Sequence, residues 1–257
     1  MNAPTTTSLE VLFTPAEFEA LSSRDLSGTT CVVFDVLRAT SSMITALANG
    51  AEAILPAADI PEVLEIHRQR PEVLLAGERE GLRIGRELTG SVAFDLGNSP
   101  REFTAERVAA RTIAMTTTNG TRALKACANA RTVLIGAFLN LGALTAWIDR
   151  ERPSRLLLVC SGTREEASYE DTLGAGALCA AVWSSYASGH VADSAQIARE
   201  IYLAAKGDLL AAAGRHARNA RRLLEIPELR DDVVFCLRPD AYPILASMGK
   251  DGRVRCG

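Results

Sequence analysis

Short apolar runs rich in β-branched residues alternate with stretches of helical period along the first two thirds of the chain, and this alternation constrains the fold more than any single motif. Strands are expected at residues 9–13, 31–34, 53–55, 73–76, 112–115, 133–136 and 156–159, and helices between them at 15–21, 40–48, 60–69, 121–128 and 141–148. Strand and helix in turn predict an α/β fold: a mixed sheet in layers, with helices packed on its faces. After Asp171 the rhythm gives way to Ala/Leu-rich segments at 172–188 and 194–224, so the C-terminal third is expected to be mostly helical, with a last strand at 233–237. Pro/Gly/Ser linkers and repeats are both missing from the sequence. All 257 residues are read as a single domain, with a two-lobed arrangement left open because no boundary can be placed.

Composition narrows the function classes. Lys plus Arg number 28 against 31 Asp plus Glu, a formal charge of −3, and no basic block stands out, so nucleic acid is not an expected partner. Charged residues interrupt every apolar run well short of the ~18 residues of a bilayer span, so no membrane is expected either. Met1 to Ser8 is polar and lacks the pattern of a secretory signal, so the chain is read as cytoplasmic. Six scattered cysteines without a C-x-x-C, and three histidines, argue against a zinc module or a disulfide scaffold. Homo-oligomerisation is left open.

Five constellations can carry chemistry. Val32 to Phe34 deliver Asp35 and Arg38 to the C-terminal end of a strand, where open α/β sheets bind ligands; the plainer reading is a helix-capping Asp paired with Arg38. Gly77-Glu78-Arg79-Glu80-Gly81 repeats that logic between glycines, although an exposed charged turn would look the same. In the segment from Asp95 to Glu102, Ser99, Pro100 and Glu102 read as a capping box, while Asn98 and the helix start can serve an anion. Between Met115 and Arg122, the residues Thr117, Thr118, Asn119, Gly120 and Thr121 gather hydroxyls, an amide and a glycine at a helix start, an arrangement suited to an oxyanion or to a redundantly capped helix. Last, Glu170 and Asp171 open a long helix that carries glycines at 174 and 176, a sign of close packing against a backbone or a ligand.

Taken in order, DVLRAT, GER, FDLGNSP, TTTNGTRAL, GAFLN at 136–140, CSGT and EDTLGAG resemble the motifs of the 2-phosphosulfolactate phosphatase family. The likeness spans most of the chain, and the stretches around Arg215-His216 and Asp232 to Cys236 resemble the family more weakly. Glu80 and Gly174 depart from the family pattern without removing a charged candidate. The resemblance implies an Mg²⁺-dependent phosphatase acting on 2-phospho-3-sulfolactate, a small anionic phosphorylated substrate, as a step towards coenzyme M.

The residues bear on the mechanism of such an enzyme. A Cys phosphatase needs C-x₅-R, but Glu166 follows Cys160 at that spacing and Leu37 follows Cys31. An aspartyl-phosphate enzyme of the haloacid dehalogenase type wants D-x-D, whereas Asp35 precedes Val36 and Leu37, so a nucleophilic Asp35 is an incomplete match. Direct attack of water needs carboxylates for Mg²⁺ and cations for the phosphoryl oxygens. Asp35, Glu78, Glu170 and Asp171 are the expected metal ligands, and Asp35, Arg38, Glu78 and Arg79 the expected catalytic set. Asn98, Ser99, Thr117, Thr118, Asn119, Gly120, Thr121 and Arg122 are the expected binders of the substrate's anions. Two other functions stay open: a phosphatase of other 2-hydroxy-acid phosphates, and a non-catalytic domain that binds an anionic metabolite.

Overall fold

A computed structural model describes residues 6–257. The reading of Met1 to Ser8 therefore falls in part outside the described residues. Among these, eleven strands occur: β1 Ser8–Leu12, β2 Thr29–Phe34, β3 Ala53–Pro56, β4 Leu74–Arg79, β5 Leu82–Arg83, β6 Thr112–Thr116, β7 Thr132–Gly136, β8 Arg155–Cys160, β9 His190–Val191, β10 Ala246–Met248 and β11 Val254–Cys256. They form one sheet in the order β5-β4-β6-β3-β11-β10-β7-β2-β8-β1-β9. One parallel block contains β4, β6 and β3, and another contains β7, β2, β8, β1 and β9. Between them the C-terminal hairpin β10–β11 is inserted antiparallel, β11 on β3 and β10 on β7. The expected mixed α/β sheet is thus present, and its mixed character comes chiefly from three-residue strands too short to show a period.

Period-2 alternation puts the central strands' side chains into both layers of core. Cys31 and Val33 of β2, with Leu157 and Val159 of β8, pack with Met43 and Ile44 of the helix Ala39–Ala48. Val32, Phe34, Leu156 and Leu158 join the opposite cluster, with Leu173 and Leu178 of the helix Tyr169–Tyr186. Every residue of β2 is buried, and each large apolar side chain so placed contributes about 1.5–3 kcal/mol. The register pairs Phe34 with Cys160, and Ser161 N donates to Phe34 O at 2.8 Å. Asp35 and Ser161 consequently emerge side by side at the same edge of the sheet.

The glycines of the helix Tyr169–Tyr186 serve packing. A Cβ at Gly174 would come within 2.9 Å of Phe34 Cδ1, and one at Gly176 within 2.1 Å of Ala198 O in the helix Asp193–Ala205.

Several expectations for the rest of the chain are corrected. The long helix expected at 194–224 is three helices, Asp193–Ala205, Leu209–His216 and Arg218–Glu225. Gly207 and Asp208 make the first break, and the Asp208 side chain accepts from Ala211 N at 2.9 Å to start the next helix. The strand expected at 233–237 is part of the helix Arg230–Cys236, in which Val233 and Cys236 are buried while Val234 is 41% exposed. Five apolar residues cannot distinguish the two periods, and Asp231 and Asp232 in the first turn favour the helix. The glycine-punctuated insertion is partly ordered into the end of β4, the edge strand β5 and the short helix Arg86–Thr89. Among the described residues no helix is long and apolar enough to cross a membrane.

Candidate active site

A cavity opens where β2, β4, β6 and β8 end, which is where an α/β sheet exposes loop residues and helix starts to a ligand. Asp35, Arg38, Glu78, Asn98, Thr118 and Asn119 line it, together with Glu80, Gly81, Arg164, Asn219 and Arg222.

Asp35 follows β2 directly. One of its carboxylate oxygens, Oδ1, accepts from Ala39 N at 3.0 Å, so it does bond the start of the following helix. The other, Oδ2, lies over Gly120, where a Cβ would sit 2.5 Å away. Burial, with the Glu78 charge adding to it, pushes the Asp35 carboxyl up to about 6.

Glu78 is held by the loop expected to bind an oxyanion. Its Oε1 accepts from Thr118 N at 2.9 Å and from Thr118 Oγ1 at 2.8 Å, and its Oε2 accepts from Gly81 N at 2.8 Å. The donors of Thr118 are thereby directed at the chain's own carboxylate. Thr117 and Thr121 exchange bonds, each backbone N–H donating to the other's hydroxyl at 3.3 Å, which closes the loop on itself. Asn119 Nδ2 donates to Arg164 O at 2.7 Å.

Arg38 does not pair with Asp35. Its Nη1 donates to Asp232 Oδ2 at 2.6 Å and its Nη2 to Gly81 O at 2.7 Å, in an almost fully buried setting. Asp232 also accepts from Ser99 Oγ at 2.7 Å and from Arg101 Nε at 2.8 Å. The capping box expected at Ser99 is therefore corrected: this hydroxyl makes no cap bond, and Glu102 Oε2 accepts instead from Gly97 N at 3.1 Å. The pull of the buried Asp232 on the hydroxyl outweighs a cap on a three-residue 3₁₀ turn.

Two expected cations stand elsewhere. Arg79 donates to Glu78 O at 2.6 Å and to Thr116 Oγ1 at 3.2 Å, and Arg122 reaches Glu19 and Glu165; neither lines the cavity.

The four acids expected on metal are not one cluster. Asp171 Oδ1 accepts from Val36 N at 2.7 Å, and its Oδ2 accepts from Ser161 Oγ and Gly162 N, both at 3.1 Å, so it ties the loop after β8 to the segment after β2. Burial raises its carboxyl well above the usual range despite those donors. Glu170 faces the neighbouring recess that His216 and Tyr169 line, and burial raises its carboxyl too. Among the described residues no three His, Cys, Asp or Glu side chains converge to hold a metal.

Asp35 and Glu78 remain together in the cavity, and Asn98 Oδ1 beside them is buried without a hydrogen-bond partner. Two carboxylates and an amide oxygen are hard donors. They fit Mg²⁺, which is commonly bound through one or two carboxylates while keeping several waters. A cation there would also offset the Glu78 charge, which adds to the effect of burial in raising Asp35.

Sequence reading missed Asp232, Arg164, Asn219 and Arg222. Asp232 directly precedes the apolar run expected as a strand at 233–237, and nothing in its spacing points to Arg38 or Ser99. The three cavity residues lie in a loop and a helix whose sequences carry no pattern pointing back to Asp35.

The 2-phosphosulpholactate phosphatase family model matches residues 15–250. A probable 2-phosphosulfolactate phosphatase of Caldanaerobacter subterraneus subsp. tengcongensis is 35% identical over 242 residues, 93% of this chain and 95% of the relative. One from Synechococcus sp. is 37% identical over 224 residues, 86% of this chain and 89% of the relative. With a family model and near full-length relatives in accord, the chain belongs to the 2-phosphosulfolactate phosphatase family of phosphoric monoester hydrolases.

Proposed function

We propose that this chain hydrolyses 2-phospho-3-sulfolactate to 3-sulfolactate and phosphate, with Mg²⁺, in a coenzyme M-type pathway. The observation that carries the reading is the meeting of Asp35, Glu78, the unpartnered Asn98 Oδ1 and the fixed Arg38 guanidinium in one cavity.

Asp35, Glu78 and Asn98 would hold Mg²⁺, which supplies polarisation of phosphoryl oxygens and a more acidic bound water. Arg38 contributes a guanidinium whose orientation is set by Asp232 and Gly81 O, so charge on a phosphoryl oxygen is met without reorganisation of the protein. In the reaction a water oxygen bonds to phosphorus, the ester P–O bond breaks, and the sulfolactate oxygen leaves with a proton. The thiol of Cys160 is wholly buried and burial raises it well above the usual thiol range, which argues against a cysteine nucleophile.

Phosphate release from 2-phospho-3-sulfolactate, with Mg²⁺ and then with excess chelator, tests the proposal. Release that is abolished by chelation and restored by Mg²⁺ is expected. Full activity in excess chelator would remove the metal from the scheme, and a folded chain that releases no phosphate would remove the activity.

A further inference from the structure

Arg164 lies in the loop after β8 and Arg222 in the helix Arg218–Glu225, yet both line the cavity and both aim a guanidinium at Glu80. The Glu80 carboxylate is 3.4 Å from Arg164 and 3.6 Å from Arg222. The turn that carries it is engaged further: Glu80 O accepts from Arg222 Nη2, and Gly81 O accepts from Arg38 Nη2 at 2.7 Å. A Cβ at Gly81 would lie 3.4 Å from Arg222 Nη2 and 3.9 Å from Arg38 Nη2, so the two guanidiniums flank one backbone unit. Glu80 and Arg164 both adopt left-handed backbone, with φ of +55° and +58°, which non-glycine residues hold only where surrounding contacts fix it.

The three carboxylates of the cavity differ in setting. Asp35 and Glu78 are buried, whereas the Glu80 side chain is 71% exposed, and its ion pairs are long and open to water. Such pairs are weak and readily exchanged for another anion. Charge points the same way. The lining holds three acids and three arginines, one of which, Arg38, is already paired with Asp232. A substrate bearing phosphate, carboxylate and sulfonate meets no surplus of positive charge from these residues until Glu80 gives up its place.

We infer that Arg164 and Arg222 are the specificity pair for the substrate's sulfonate, and that Glu80 occupies their anion seat when substrate is absent. The inference rests on the hydrolysis proposed above. A sulfonate stays ionised at every working pH and accepts hydrogen bonds through three oxygens, which suits two guanidinium forks. It sits on the carbon next to the phosphorylated one, as Arg222 sits across Gly81 from the Arg38 that serves the phosphate.

The test measures kcat/KM with Mg²⁺ for 2-phospho-3-sulfolactate and for 2-phospholactate in the wild type and in Arg164→Gln, Arg222→Gln and Glu80→Gln. The ratio of the two values is expected to fall tenfold or more in each arginine variant. Glu80→Gln is expected to lower KM for the sulfonated ester several-fold, a gain that damage to the fold does not produce. The Arg164 side chain is 72% exposed, so its variant keeps the test sound if Arg222→Gln folds poorly. Arginine variants that slow both esters by the same factor overturn the assignment, as does a Glu80→Gln enzyme with weakened binding of the sulfonated ester. A wild type that ignores 2-phospho-3-sulfolactate overturns the underlying hydrolysis as well, and is told apart because no variant is then needed.

Discussion

Arg38 and Asp232, 194 positions apart in the chain, meet at 2.6 Å with side-chain exposures of 3% and 0%. The pair fastens a C-terminal helix to the C-terminal end of β2 and fixes the guanidinium that faces the cavity. Burying two charges costs desolvation, and this pair offsets it with further donors from Ser99 and Arg101 on the same carboxylate.

Removing that carboxylate strands Arg38 without its partner. Asp232→Ala is expected to destabilise the fold by about 3–5 kcal/mol in denaturant titrations. Asp232→Asn keeps the shape but not the charge, and kcat should fall at least tenfold, about 1.4 kcal/mol of barrier. If neither variant moves stability or kcat beyond twofold, Asp232 does not position Arg38.

Asp35 links activity to pH and stability with opposite signs. Its carboxyl titrates at about 6 in the fold against an ordinary 3.8, so between those values the folded chain holds a proton that the unfolded chain has lost. Stability of the metal-free protein therefore falls as pH rises through that window, and the penalty, on the order of 3 kcal/mol, is fully present above it. Asp35→Asn should be inactive yet raise Tm at pH 8, with the gain vanishing near pH 4. Mg²⁺ should raise the Tm of the wild type and not that of the variant. A variant less stable than wild type at pH 8 would contradict this account.

Gly120→Ala tests the seat beneath Asp35. Ala in a helix is ordinarily favoured over Gly by about 0.5–1 kcal/mol, and the backbone here needs no left-handed conformation. The new Cβ would nevertheless fall 2.5 Å from Asp35 Oδ2 and 2.8 Å from Ala39 Cβ, so Asp35 must move. Activity is expected to drop about 100-fold or more, since small displacements at a reacting centre cost that much. Wild-type kcat/KM in the variant would show that Asp35 tolerates displacement.

Cys160→Ser separates a packing cysteine from a nucleophile. A hydroxyl in this buried position should lower stability by about 1–3 kcal/mol while leaving kcat within about threefold. A folded variant with no turnover would return the thiol to the mechanism.

The sequence by itself determined the layered α/β architecture, because short apolar β-branched runs such as Val32 to Phe34, buried on both faces, alternate with helical runs such as residues 60–69, and both are local patterns. It also pointed to Asp35 and Glu78 at strand ends and to Asn98 and Thr118 at helix starts, four side chains that the structure gathers in one cavity. Tertiary structure decided the rest. The hairpin β10–β11 enters the sheet by pairing with distant strands, and three-residue segments hold no period from which to foresee it. Which charges meet was equally invisible: Arg38 chose Asp232 over the nearby Asp35, Arg79 and Arg122 turned away, and Arg164 and Arg222 arrived from other elements. Charge pairing depends on distance in space and on desolvation, and neither is written in the spacing of residues along the chain.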